Sequence, residues 1–141
     1  MILFISGGVR SGKSSLAEKM ALQFYHDQRA SALYYIATTK RNNDEEMLER
    51  IKRHQASRNQ EWTTIEEPYH IDEQMKKLKS QSVLLIDCLT VWSSNVLFSE
   101  NKTCDTMLDR IEKAVQIAKD KKMTVILVSN DLNEDLPIQD N

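Results

Sequence analysis

At 141 residues, 40% hydrophobic and 28% charged, the chain is long enough for one domain with a real core and sits near the average of globular proteins. A net charge of −2 argues against a broad electrostatic pull on nucleic acid or on an anionic membrane. There is no basic and apolar leader, no apolar run approaches bilayer length, and the isolated Cys88 and Cys104 lack metal-type spacing, so they read as reduced thiols of a cytoplasmic protein.

The first element is the apolar run Ile2-Leu3-Phe4-Ile5, expected as a buried strand over residues 1–6. Directly behind it stand Gly7-Gly8-Val9-Arg10-Ser11-Gly12-Lys13-Ser14. A helix follows over residues 13–28, with Leu16, Met20 and Phe24 recurring at i, i+4 and i+8. Strand, glycine-rich turn and helix start with Gly-x-x-x-x-Gly-Lys-Ser is the phosphate-binding loop. Gly7 and Gly12 let the backbone turn with positive φ and approach an anion closely. The N–H groups then point inward, at a helix N-terminus that favours negative charge. Lys13 can reach the β- and γ-phosphates, and the Ser14 hydroxyl can ligate Mg²⁺. Arg10 lies on the phosphate-facing turn, where a nucleotide contact and plain solvation both remain open. The chain is therefore expected to bind a nucleoside triphosphate.

Residues 32–37 form a second apolar strand that ends in Thr38-Thr39, placing Ala37 and two hydroxyls at the carboxyl end where open α/β sheets bind ligands. Both hydroxyls can equally cap the next turn. After a polar turn, Asp44 is a fair N-cap for a helix from Glu45 to about Ser57. On that helix Met47, Ile51 and His54 share one face, with Arg50 and Arg58 a turn either side of the histidine.

Trp62 to Glu66 alternates like a short strand that Pro68 breaks, and residues 70–79 look like an amphipathic helix on Ile71, Met75 and Leu78. Ser82 to Asp87 is an aliphatic run ending in a carboxylate, the form of a Walker B strand with Asp87 near the metal. A helix over 89–98 carries Trp92 and Asn95. Another over 104–121 rests on Met107, Leu108, Ile111, Val115 and Ile117-Ala118. A last buried strand over 123–128 ends in Ser129-Asn130, and residues 131–141 read as a polar loop. His26 and His70 read as surface residues, and Trp62 and Trp92 as packing. Strands alternating with helices predict an α/β domain spanning residues 1–141, a P-loop NTPase-like (RecA-like), mostly parallel sheet flanked by helices.

In order along nearly the whole chain, these residues resemble the bifunctional adenosylcobinamide kinase and adenosylcobinamide-phosphate guanylyltransferase family of cobalamin biosynthesis. The stretches that carry the resemblance are the Gly7–Ser14 loop and Tyr35-Ile36-Ala37-Thr38. To these are added Asp44-Glu45-Glu46-Met47 followed by Arg50-Ile51, His54, Arg58, Trp62, Thr64 and Glu66-Glu67-Pro68, then Leu85 to Trp92 with Asn95, then Val125 to Asn130. The resemblance implies two reactions. One passes a γ-phosphoryl group from ATP or GTP to a hydroxyl of adenosylcobinamide. The other holds GMP from GTP on a histidine, then passes it to the substrate phosphate.

His54 matches the guanylylated histidine, and imidazole is a suitable nucleophile because it is partly neutral near pH 7. With Lys13 it makes the expected catalytic pair. Arg50 and Arg58 can neutralise the transferring phosphate and depress the imidazole pKa. The expected nucleotide site is the Gly7–Ser14 loop with Ala37, Thr38, Thr39, Arg58, Glu66 and Asp87, and Ser14 and Asp87 would hold Mg²⁺ with GTP or ATP. Glu66 matches a carboxylate that contacts guanine or ribose; the alternative is a strand-end surface charge. The resemblance also implies a homo-oligomer, a trimer, with no nucleic-acid partner and no membrane span. Against the family pattern the C-terminal part is short, which bears more on activity than on nucleotide binding. Two other readings stay open: a different small-molecule kinase with the same loop, which needs no His54, and a non-catalytic nucleotide-binding relative.

Overall fold

The computed structural model describes residues 1–7, 13–39 and 61–130, with Lys13, Ser14 and Asn130 described as backbone only. The elements, in chain order, are β1 (Ile2–Gly7), α1 (Lys13–Asp27), β2 (Leu33–Ala37), β3 (Trp62–Glu66), α2 (Ile71–Lys76), β4 (Val83–Asp87), α3 (Leu89–Ser94), α4 (Cys104–Asp120) and β5 (Thr124–Asn130). The helix expected over 45–57 and the loop over 131–141 lie outside the described residues. The five strands form one sheet in the order β1-β5-β4-β2-β3, and every pairing is parallel. This is the α/β arrangement of a phosphate-loop nucleotide-binding fold.

β2, and β4 up to its closing Asp87, are aliphatic and aromatic because helices cover both faces of the sheet. On one face α1 packs through Ala17 and Ala21 over Leu33, Tyr35, Leu85, Ile126 and Val128. On the other, Ile71 and Met75 of α2, Trp92 of α3, and Ala114 and Ala118 of α4 close over Ile36, Leu84, Ile86 and Val125. β1 and β3 are the edge strands among the described residues, and Phe4 of β1 is 58% exposed.

Three expectations shift. The stripe of α1 that meets the sheet is Ala17 and Ala21, whereas Leu16 is 52% exposed. Two alanines let the helix axis come close, and the larger Met20 and Phe24 are only partly buried at its flanks. α2 is six residues long rather than ten, although Ile71, Met75 and Leu78 are all buried as expected. The helix over 89–98 runs its expected length but changes winding, because Asn95–Ser99 is π-helical.

Candidate functional site

All five strands end at the same edge, and their register sets a row across it. Ile5 pairs with Val128, Val128 with Asp87, Asp87 with Ala37, and Ala37 with Glu66. Residues in register on parallel strands point to the same face, so Asp87, Ala37 and Glu66 share the face that carries α1. Two strand spacings put the backbones of Asp87 and Glu66 about 10 Å apart, with only the Ala37 methyl between them. Gly7 ends β1 opposite Asn130, and Lys13 opens α1 six residues later, so the intervening five residues join this edge to a helix N-terminus. The fold therefore sets Gly7, Asp87, Ala37 and Glu66 in that order along one edge, with Lys13 and Ser14 opening the helix that follows Gly7 and Glu66 at the far end. Gly8, Val9, Arg10, Ser11, Gly12, His54 and Arg58 lie outside the described residues.

The end of β2 is tied to β4 by a reciprocal contact. The Thr38 hydroxyl donates to the Cys88 carbonyl at 2.7 Å and accepts from the Cys88 N–H at 2.8 Å. The Thr38 N–H donates to the Asp87 carbonyl, and its own carbonyl accepts from the buried Asn95 amide at 2.8 Å. Thr38 is fully buried. Its polar groups hold strand ends in place and do not face the open edge; the half-buried Thr39 follows it. Cys88 also caps α3, its sulfur accepting from the Val91 N–H.

The Asp87 carboxylate has one oxygen held. The Tyr35 hydroxyl donates to Oδ2 at 2.6 Å, and Oδ1 has no hydrogen-bond partner among the described residues. One carboxylate oxygen together with a serine hydroxyl and phosphate oxygens is a donor set that suits Mg²⁺, which keeps several waters and takes few protein ligands. So the residues fit the expected cation. Sequence reasoning passed over Tyr35, although a tyrosine in an otherwise aliphatic buried strand needs a partner for its hydroxyl.

Beyond Glu66, the connector to α2 is clamped from several sides. Asn95 donates a second bond to the Pro68 carbonyl, and Trp92 and Arg110 both donate to the Tyr69 carbonyl. Arg110 also pairs with Glu100 at 2.6 Å. Glu67 turns back to accept from the Tyr69 and His70 N–H groups and from Gln74. Burial alone would raise the Glu67 pKa, but those hydrogen bonds outweigh it and hold the carboxyl below its ordinary value. The Arg110 hydrogen bond does the same for Glu100 against the opposing effect of burial. His26 and His70 are about half-exposed, as expected, facing Glu61 and Glu100. Trp92 is fully buried packing, and Cys88 and Cys104 are not joined in a disulfide.

An apolar cavity of about 40 Å³ lies on the opposite face of the sheet, between β5 and α4. Its lining, which includes Ile2, Ile86, Ala114 and Leu127, is entirely apolar, so it offers no group for a phosphate. No helix among the described residues is long and apolar enough to cross a membrane.

Comparison with known proteins gives the same direction as the site. A family model described as cobinamide kinase / cobinamide phosphate guanyltransferase matches residues 3–140. The bifunctional adenosylcobalamin biosynthesis protein CobP of Pseudomonas aeruginosa is 35% identical over 128 residues, which is 90% of this chain and 69% of the relative. Proteins of the same description called CobU, from Escherichia coli and Salmonella typhimurium, are 35% and 34% identical over 99 and 100 residues. Those alignments take in 70% of this chain and 51% of each relative, so the chain spans about half the length of two of the curated relatives it matches.

Proposed function

The chain belongs to the cobinamide kinase / cobinamide phosphate guanyltransferase family, and from that premise we propose that it carries out both reactions at the strand-end edge just described. In the first, a hydroxyl oxygen of adenosylcobinamide attacks the γ-phosphorus of ATP or GTP. The bond to the β,γ-bridging oxygen breaks, the nucleoside diphosphate leaves, and the hydroxyl proton goes to solvent. In the second, the neutral His54 imidazole attacks the α-phosphorus of GTP and pyrophosphate leaves. A phosphate oxygen of adenosylcobinamide phosphate then attacks the histidine-bound phosphorus, the N–P bond breaks, and the product is adenosylcobinamide-GDP.

The Gly7–Ser14 loop presents main-chain N–H groups to the triphosphate tail, and Lys13 and Arg10 add charge where the leaving phosphates develop theirs. Asp87 and Ser14 would hold Mg²⁺, which would supply charge neutralisation to the phosphates. Arg58 steadies the transferring phosphate. Four strand spacings, about 19 Å, separate β1 from β3, so the triphosphate tail and the Glu66 carboxylate stand at opposite ends of the edge. That span fits Glu66 to the guanine or ribose end of the nucleotide, with Ala37 and Thr39 lining the floor between. We place the enzyme in the cytoplasm as a homotrimer.

The observation that carries this reading is the register row that sets Asp87, Ala37 and Glu66 on the face of the sheet that carries α1. Incubation with GTP labelled at the α-phosphorus tests it. The protein should retain label, His54→Ala should retain none, and addition of adenosylcobinamide phosphate should discharge it. Retention of label by His54→Ala overturns the histidine assignment. GTP binding without label or turnover leaves a nucleotide-binding relative only.

A further inference from the structure

Asp87 is held by a residue from the neighbouring strand β2. Tyr35 sits two positions before the end of β2, and its partner in register on β4 is Leu85. Asp87 is two positions beyond Leu85, so it is the diagonal neighbour of Tyr35 on one face of the sheet, within the reach of a tyrosine side chain. The bond between them is 2.6 Å long, in the short range of an O–H donor on an ionised carboxylate. Tyr35 itself cannot swing away. It is 5% exposed, packed among aliphatics under α1, and meets the Trp62 ring edge to face with centroids 6.2 Å apart.

We infer that Tyr35 is a positioning residue for Asp87: by engaging Oδ2 from a fixed ring, it sets the plane of the carboxylate and leaves Oδ1 directed to the divalent cation that accompanies the nucleotide. The inference rests on the reading of Asp87 as the cation-facing carboxylate. A strand-end carboxylate without such a partner rotates about both of its side-chain torsions and must be ordered each time a cation binds. Partners one layer out from a metal typically change its affinity by about 10- to 100-fold. A single phenol acting on one of two protein donors belongs at the lower end, about tenfold.

The probe is the binding of β,γ-imido-ATP to the protein, measured once in EDTA and once with Mn²⁺. The ratio of the two dissociation constants is the tightening due to the cation, and by linkage it equals the factor by which the protein raises the nucleotide's affinity for the cation. Tyr35→Phe keeps the ring and its packing. It should leave binding in EDTA unchanged and reduce the Mn²⁺-dependent tightening about tenfold. Asp87→Asn should abolish most of the tightening, and Tyr35→Phe added to it should change nothing more, because the phenol acts only through the carboxylate. If Tyr35→Phe weakens binding equally with and without Mn²⁺, the role is packing and the inference is overturned. Unchanged tightening overturns it as well. If Asp87→Asn keeps full tightening, the assignment of Asp87 to the cation falls, and the inference falls with it. If only Tyr35→Phe is silent, the Asp87 assignment stands alone.

Discussion

Thr38 shows how one side chain can set a strand end. Its hydroxyl satisfies both backbone groups of Cys88, the residue that follows Asp87. Thr38→Val keeps the shape and removes the oxygen to which the buried Cys88 N–H donates, while the Cys88 carbonyl keeps the Trp92 N–H. The expected loss is about 1–3 kcal/mol of stability by denaturant unfolding, with Thr38→Ser close to the parent. Asn95 stands in a similar position, since its amide nitrogen donates to carbonyls on both Thr38 and Pro68. Asn95→Asp sets a carboxylate against two carbonyl oxygens and should cost more than Asn95→Ala in the same measurement. The sequence made the hydroxyl at the end of β2 legible as a candidate ligand contact. Its actual partner was hidden, because Cys88 lies 50 residues away and only the sheet brings the two together. The same holds for Tyr35 and Asp87, which are 52 residues apart.

Among the elements, α2 is too short to be stable alone and depends on what closes its two ends. At its C-terminus the Lys121 ammonium donates to the carbonyls of Met75, Lys76 and Leu78. Lys121→Met keeps the stem and removes those bonds, and should lower stability by about 1–2 kcal/mol in thermal or denaturant unfolding. At its N-terminus the 67–70 connector depends on Glu67 and, through Arg110, on Glu100. Both carboxyls lie below their ordinary value of 4.5 in the folded state. A folded pKa below the unfolded one means that the native state favours the charged form, so the stabilisation is complete above the unfolded pKa. It is lost as pH falls through the lowered folded value. The melting temperature should therefore decline below about pH 4.5, and Glu67→Gln should flatten that decline while lowering the plateau at neutral pH. The strands and long helices were legible from apolar periodicity. The π-helical winding at Asn95–Ser99 was not, because no local pattern separates it from an α-helix; it sits where Asn95 reaches toward two carbonyls. The buried face of α1 was misplaced because periodicity counts bulk, while the contact uses the small Ala17 and Ala21.

For the whole molecule, the alternation of strands and helices was enough to foresee a parallel sheet, and the apolar run closed by Asp87 was enough to place a carboxylate at its ligand-bearing edge. Strand order was not available from local signals. That β5 lies between β1 and β4, and that β3 adds outside β2, are settled by long-range packing. One consequence concerns biosynthesis on the ribosome. Among the described residues β1 has a single neighbour, and that neighbour, Thr124–Asn130, is synthesised more than a hundred residues later. At about 5–20 residues per second, the opening strand waits on the order of ten seconds before it has anything to pair with. A nascent chain stalled before Thr124 should thus protect the amides of β2 and β4 from deuterium exchange while those of Ile2–Gly7 exchange freely. Nucleotide capture is then a late event in the life of the polypeptide, withheld until the strand that joins β1 to the rest of the sheet has been made.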